Sequence, residues 1–482
     1  MTGDLNSPRQ LPRSYHWQLR VSERRTLLLI GDLLVALASL GISLYYWGTS
    51  ERFMGFSLEF LQKRTPAWFY FLPFIWLVLM VELYDVHRAS DWGQTLRGVL
   101  AAAIIGSMLY LALYFYYVDP DRSLLPRRGV ASFLATVSVL TLVWRRMYLK
   151  IFTAPQFMRR VYLVGGGKSG QNLLKVMNEL KVKPLVLAGI IDDDHQKLGT
   201  IIDGYQVVGS SEQLIQLVQE NNISDIIVAI TGEMRGGMFQ VLLDAQELGV
   251  EIIRMPTVYE ELLGRVPILM LEANWILRSF VDELRVSGFY LLIKRLLDIL
   301  GGLVGTLAMV ILLPIITLAT LIDDGFPLFY SQTRCGKGGQ PYKIIKFRTM
   351  RRDAEPDGQP RWAREDDERA TRVGKLLRRT HLDELPQFLN VLRGEMSLVG
   401  PRAERPELVE YFQRHIPFYR SRLLVKPGIT GWAQVNFGYA SSIDETIVKL
   451  EYDLYYIKHR SLMMDFIILL RTPATVLGFR GR

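Results

Sequence analysis

Two adjacent carboxylates stand in the run Thr380-His381-Leu382-Asp383-Glu384-Leu385-Pro386-Gln387, and cations crowd them on both sides. Arg369, Arg372, Lys375, Arg378 and Arg379 precede them, and Arg393 and Arg402 follow. Acids before a proline and an amphipathic run (Leu385, Phe388, Leu389, Leu392) mark a helix start. Asp383 falls near its N-cap and Pro386 in its first turn. Taken alone, the pair reads as a cap that satisfies free N–H groups and the helix dipole. The arginines suggest more, because a helix start edged with arginine is a phosphate site. If residues 372–379 are helical, Arg372, Lys375 and Arg379 share one face. Two carboxylates would repel a phosphate unless one holds Mg²⁺ and the other attacks phosphorus. A charge run that is only a solvated or lipid-facing surface is the plainer alternative for several of these arginines.

A second motif lies upstream. Val161-Tyr162-Leu163-Val164 reads as a strand and runs into Gly165-x-Gly167-x-x-Gly170. A helical segment follows, then a strand from Val186 to Ile191 that ends in Asp192, Asp193 and Asp194. That context is the dinucleotide fingerprint, with Gly165, Gly167 and Gly170 as cofactor-binding candidates. Further strands at 226–230 and 250–253 make residues 159–260 a doubly wound, Rossmann-like α/β module. Such modules often keep the fold without the ligand. A scaffolding or dimerising role, giving a homodimer, is therefore weighed above a bound nucleotide.

Apolar stretches must position these motifs against a membrane. Four of them, about 26–47, 67–84, 96–118 and 129–149, approach the roughly 20 residues that cross a bilayer. Buried helices of a soluble protein are the other reading. Arg24 and Arg25 before the first span and Arg145, Arg146 and Lys150 at the end of the fourth are basic outer flanks. They place a tail over 1–25 and everything beyond Lys150 in the cytoplasm, with four transmembrane helices over 26–150. No cleavable signal peptide is expected, since the polar start is too long. A further run, Leu296 to Ile322, is interrupted at Pro314 and by length alone reads as a fifth span. Leu462 to Leu470 is too short to span and either lies on the membrane or closes the core. The net charge of +9 suits anionic head groups or phosphorylated substrates. Nucleic acid is excluded as the partner by the membrane stretches. The single cysteine, Cys335, excludes an internal disulfide and is a poor basis for a metal site.

The acidic pair belongs to a longer ordered pattern. It comprises Asp367, Arg369, Thr371, Gly374, Leu377 and Arg378, then Leu382 to Gln387, Asn390-Val391-Leu392, and Met396-Ser397-Leu398-Val399-Gly400-Pro401-Arg402. Lys346-Phe347-Arg348-Thr349-Met350 lies upstream, and Lys426-Pro427-Gly428-Ile429-Thr430-Gly431 with Gln434-Val435-Asn436 downstream. From about Lys294 onward the chain resembles the bacterial sugar transferases, polyprenyl-phosphate phosphoglycosyl transferases, in their large membrane-rich branch. The resemblance implies that Asp383 attacks the β-phosphate of a UDP-sugar and that Glu384 is associated with Mg²⁺. It further implies that Arg378 and Arg402, with Lys346 and Arg348, contact phosphate or nucleotide. Polyprenyl (undecaprenyl) phosphate and membrane lipids are the implied partners, at the bacterial inner (cytoplasmic) membrane. It also implies that 289–322 is a re-entrant helix broken at Pro314, which keeps a catalytic domain over 323–482 in the cytoplasm. Leu313 and His381 stand where the family usually has Ser, and Ala403 where it has Pro. The first departure weakens the expected kink.

The expected fold is an α-helical membrane bundle, a doubly wound α/β module and a mainly helical C-terminal catalytic domain. A membrane-tethered NAD-dependent nucleotide-sugar dehydratase or epimerase is the rival. Its Tyr-x-x-x-Lys pair has two matches, Tyr290 with Lys294 and Tyr342 with Lys346. A non-catalytic scaffold of glycan export is the third reading. Trp432, Asn436 and Tyr439 are candidates to touch the sugar, whose identity nothing in the spacing selects.

Overall fold

The structure is a computed structural model that describes residues 21–476, apart from 51–54, 85–88, 117–125, 153–157, 181–182, 184, 231, 233, 235, 271–286, 352–368, 439 and 441. Most of the expected N-terminal tail, the polar connection near 353–361, and Tyr439 lie outside the described residues. The chain divides into two compact units, Met1–Met255 and Pro256–Arg482.

The first unit begins with apolar helices α1 (Val21–Ser50), α2 (Leu72–Leu79), α3 (Trp92–Tyr116) and α4 (Arg127–Phe152). Of these, α1, α3 and α4 are long and apolar enough to cross a membrane. The second apolar stretch is not one long helix. Tight 3-10 turns at Ala67–Phe71 and Val81–Tyr84 flank the short α2, which Pro73 opens. Leu28, Trp76, Phe133 and Val137 fill the bundle core. Across it Arg145 of α4 pairs with Asp32 of α1, both wholly buried, and donates to the Leu83 carbonyl at 2.8 Å. That carbonyl belongs to the last turn of the second stretch, where lipid offers it no donor. One arginine thus satisfies a buried acid and a helix end together.

The module follows as β1 (Arg159–Val164), α5 (Lys168–Glu179), β2 (Leu185–Ile191), β3 (Ile201–Ile202), β4 (Tyr205–Gly209), α6 (Leu214–Glu220), β5 (Asp225–Val228), α7 (Gly236–Glu247) and β6 (Glu251–Arg254). Its six strands lie in the order β3-β4-β2-β1-β5-β6. All neighbours are parallel except β3 with β4. The strand order reverses at β1, so the glycine loop after it occupies the topological switch point.

The second unit contains α8 (Met255–Leu263), α9 (Gly288–Asp323), β7 (Phe329–Cys335), β8 (Pro341–Phe347), α10 (Arg372–Arg379), α11 (Gln387–Arg393), β9 (Ser397–Val399), α12 (Pro406–His415), β10 (Gly428–Thr430), α13 (Trp432–Asn436), α14 (Ile443–His459) and α15 (Leu462–Val476). The long α9 is fastened along its whole length. Near its start Tyr290 and Lys294 bond Asp465 of α15, and Asp298 accepts from Ser397 Oγ and Leu398 N. Gly301, Gly302 and Gly305 then let Leu398, Leu392 and Phe388 approach the helix, where an added Cβ would overlap them. Beyond, Met309 and Ile316 pack with Phe347 and Leu377, and Asp323 accepts from Val373 N at 2.7 Å. The opposite face exposes Leu296, Leu300, Leu303, Leu307, Ile311 and Leu318.

The expected break at Pro314 is absent, because helical backbone continues on both sides of it. A proline removes one backbone bond, but here flanking residues packed in one cluster hold both halves in register. For α15, the expectation of closing the core is met. Met464 and Ile468 close the core, while Met463 and Phe466 face outward.

The stretch after α8 also enters this core. Val266 and Ile268 are buried, and Glu451 of α14 accepts from Ile268 N while pairing with Arg265. Burial raises the Glu451 carboxyl from its ordinary 4.5 to about 7, against partial opposition from Arg265. An acid with a higher pKa folded than unfolded holds its proton more tightly in the folded state. Its stabilisation is therefore full below about pH 4.5 and is lost as pH rises through about 7. Glu451→Gln should flatten this dependence, measured as the unfolding temperature of the solubilised protein between about pH 5 and pH 8.

Candidate functional site

The acidic pair does not cap a helix. Thr371 caps α10 by accepting from Gly374 N at 2.9 Å, and α10 ends at Thr380. His381 then takes a left-handed φ of 55°, which turns the chain into a 3-10 turn over Leu382–Glu384. Pro386 occupies the N-cap of α11 with no side-chain bond. This replaces the expected helix start at Asp383. It also removes the reason for two acids at a cap, since neither carboxylate accepts a free helix N–H.

Other elements bring the partners. Lys346 comes from β8, which α11 grips through the wholly buried Asn390. That side chain donates to Lys343 O at 2.8 Å and accepts from Ile345 N at 3.2 Å. Arg402 comes from the loop after β9, pinned to β10 by Gly400 N to Thr430 O and Gly428 N to Pro401 O, each 2.9 Å. Lys346 Nζ and Arg402 Nη2 donate to the same Glu384 oxygen, Oε1, at 2.7 and 2.8 Å. Burial alone would raise the Glu384 pKa. Arg402 and Lys346 overcome it and hold the group well below the usual carboxylate range.

Asp383 contrasts with its neighbour. It is 8% exposed and makes no hydrogen bond among the described residues. Burial pushes its carboxyl up, and the Glu384 charge adds to this, while Lys346, Arg402 and Arg378 oppose it. The site thus holds one carboxylate spent on cations and one kept free among cations.

The structure gathers Asp383, Glu384, Lys346 and Arg402, with Arg378 in their field, but not Arg348. The strand ends at Phe347, so Arg348 does not continue the alternation that aims Lys346 at Glu384. Its guanidinium instead reaches the Asp324 carboxylate and the Asp324 carbonyl, closing the end of α9. Arg372, Lys375 and Arg379 are exposed. Behind Arg402 stands a buried network that local spacing does not announce. Arg422 donates to the Arg402 carbonyl at 3.1 Å, to Asp453 at 2.7 Å and to Tyr419 Oη at 2.7 Å. Glu404, which takes Lys449 at 2.8 Å, completes it. Trp432 donates to Gly264 O at 2.8 Å, and Asn436 accepts from Arg471 at 3.3 Å.

In the first unit, Gly165 has φ +101°, and a Cβ on Gly170 would overlap the Gly165 carbonyl, so these glycines shape the loop as a dinucleotide site requires. Gly167 is the N-cap of α5. However, Asp192, placed where an acid would receive a ribose, takes Gly166 N at 2.8 Å and Lys197 Nζ at 3.0 Å.

The chain combines helices long and apolar enough to cross a membrane with a cationic site beside an unpartnered acid. Residues 289–479 match the family of bacterial sugar transferases, and residues 80–256 a CoA-binding domain. Over 235 residues the chain is 43% identical to the UDP-N-acetylgalactosamine-undecaprenyl-phosphate N-acetylgalactosaminephosphotransferase of Aeromonas hydrophila, covering 48% of this chain and 54% of that one. Relatives from Xanthomonas campestris pv. campestris, Escherichia coli and Klebsiella pneumoniae share the name UDP-glucose:undecaprenyl-phosphate glucose-1-phosphate transferase. The one from Escherichia coli (strain K12) is 31% identical over 328 residues, covering 65% and 67% of the two chains. The one from Klebsiella pneumoniae is 32% identical over 418 residues, covering 82% and 86%. The chain belongs to the bacterial sugar transferase family. It spans 54% and 57% of the length of its Aeromonas and Xanthomonas relatives.

A Cβ on Gly428 would overlap Gly400 N, which anchors the Arg402 loop. Gly428→Ala should destabilise the protein by about 1–3 kcal/mol and displace Arg402. Thermal unfolding and hydrogen exchange across residues 397–405 would show it.

Proposed function

We propose that the chain moves a hexose 1-phosphate from a UDP-sugar to polyprenyl (undecaprenyl) phosphate, releasing UMP and priming a polysaccharide. The observation that carries this reading is the Asp383 side chain, buried, without a hydrogen-bond partner among the described residues, and in the field of Lys346, Arg402 and Arg378. A structural carboxylate in that setting would be paired, as Glu384 is.

In the first step an Asp383 carboxylate oxygen attacks the β-phosphorus of the UDP-sugar. The bond from that phosphorus to the oxygen of UMP breaks, UMP leaves, and the sugar phosphate is held on Asp383. In the second step a phosphate oxygen of the polyprenyl phosphate attacks the same phosphorus and frees the carboxylate. Lys346 and Arg402, already fixed by Glu384, oppose the charge that grows on the phosphoryl oxygens. Covalent catalysis separates the soluble donor from the lipid acceptor, so the two need never meet.

Magnesium fits this donor set. Both bonds to Glu384 fall on Oε1, so its second oxygen takes no hydrogen bond among the described residues. Among the described residues no group of three or more His, Cys, Asp or Glu gathers, so the ion would arrive with phosphate oxygens and water, as Mg²⁺ commonly does. When bound it would supply charge neutralisation at the diphosphate.

For the membrane arrangement, the support comes from α9. At 36 residues it is about 54 Å long, enough to cross a bilayer. Yet Tyr290 at one end and Asp323 at the other bond the same unit. That supports a helix whose two ends stay on one face of the membrane, and the basic flanks Arg24, Arg25, Arg145, Arg146 and Lys150 support the cytoplasmic face of the bacterial inner membrane for the catalytic unit. The dehydratase reading finds no such support. Lys294 is paired with Asp465 and Lys346 with Glu384, so neither Tyr-x-x-x-Lys lysine is free.

Purified protein with undecaprenyl phosphate, Mg²⁺ and a panel of UDP-sugars should release UMP with at least one sugar. Asp383→Asn should lower that rate about a thousandfold or more, and intact-mass measurement should find a sugar-phosphate adduct on the wild type alone. Full activity in Asp383→Asn, or no UMP with any sugar, would sink the proposal. Because Asp383 must be ionised and its pKa is raised, the rate with saturating Mg²⁺ should climb with pH above the ordinary carboxylate range of about 4.

A further inference from the structure

One concentration of charge in the second unit has no part in phosphoryl transfer at Asp383. Arg295, in the second turn of α9, donates to the Val391 and Leu392 carbonyls at 2.8 Å each and so caps the end of α11. Gly394 continues from that end with φ +84°, and a Cβ built on it would lie 3.5 Å from both Arg295 Nη2 and Lys426 Nζ. Two cations therefore flank one glycine-floored notch. Lys337, exposed in the turn between β7 and β8, adds a third positive charge acting on Lys426.

Nearby carboxylates are committed elsewhere. Asp298 takes Ser397 Oγ at 2.9 Å and Leu398 N at 2.8 Å, and Asp465 pairs with Lys294 at 2.9 Å. Among the described residues neither the Lys426 nor the Lys337 side chain makes a hydrogen bond or an ion pair. Burial lowers the Lys426 pKa, and repulsion from Arg295, Lys337 and Lys294 acts in the same direction, against Asp298 alone. Half-buried like charges repel at a cost that an anion would convert into attraction. The outward apolar residues Leu292, Leu296 and Leu297 adjoin Arg295 on α9, so the notch borders the surface suited to lipid.

We infer that Lys426, Arg295 and Lys337 form a phosphate-binding site separate from Asp383, on the edge of the apolar face of α9. The phosphate is carried by an anionic lipid head group or is free in solution. The two sites sit at opposite ends of α11, whose seven residues span about 10 Å. Nothing in this site depends on the transfer reaction.

Lysine footprinting of the full-length protein tests it. An amine-reactive reagent would be applied to the protein in phosphatidylcholine nanodiscs, and labelling of each lysine read by mass spectrometry. One arm adds phosphatidylglycerol to the nanodisc and the other adds inorganic phosphate, at matched ionic strength. Lys426 labelling should fall several-fold in at least one arm, while exposed lysines of the first unit such as Lys175 stay unchanged. Protection by phosphatidylglycerol alone assigns a lipid head group, and protection by inorganic phosphate assigns a free anion. Lys337→Ala, at an exposed turn, should leave the unfolding temperature unchanged and weaken the protection. No protection in either arm, an equal fall at every lysine, or full protection in Lys337→Ala would overturn the site.

Discussion

Glu384 is the charge around which the catalytic unit is organised. Its Oε1 joins Lys346 from β8 and Arg402 from the loop after β9, so three segments remote in sequence meet on one atom. A buried carboxylate is costly unless paired and hydrogen-bonded, and two cations are costly unless they share an anion. Each partner makes the burial of the others tolerable. Asp383, one residue earlier, shares the field and none of the bonds, so two adjacent carboxylates stand in different states.

That clamp needs a rigid frame, and α9 provides it. A helix with one apolar face and one face carrying Lys294, Arg295 and Asp298 meets two solvents at once. Its glycines let the polar face sink against α11 and β9, while its leucines stay outside. Anchoring at both ends makes the helix part of the catalytic unit rather than a tether to it. The same face carries Arg295 to Gly394 and Lys426, so the notch for phosphate is a by-product of how the helix is held.

Much of this was legible in the residues. The apolar stretches, four of the module's six strands and the glycine loop lie within a few residues of their expected places, because periodicity and turn chemistry are local, whereas β3 and β4 carry no such expectation. The acidic pair and its arginines were legible as candidates too. Misplaced features were those settled by contact at a distance. The family motif groups Arg348 with Lys346, but the strand ends between them and Asp324 claims the guanidinium. Pro314 was expected to break a helix that its packing keeps continuous. The 67–84 stretch was apolar enough to span, yet it is a short helix between two 3-10 turns, tied at its end by Arg145.

The sequence by itself determined which segments are apolar, where the chain turns, and that one acidic pair stands amid cations in the ordered motifs of a known family. It left open whether that pair capped a helix or carried a reaction. Only the tertiary structure removed the cap, by placing the pair in a 3-10 turn and giving Glu384 two cations and the Asp383 carboxylate none to bond. It likewise showed Asp192 held by Gly166 and Lys197, a detail invisible in the glycine fingerprint. The reason is physical: residue type and spacing set what a group is able to do, whereas partners brought from elsewhere in the chain set whether it is free to do it.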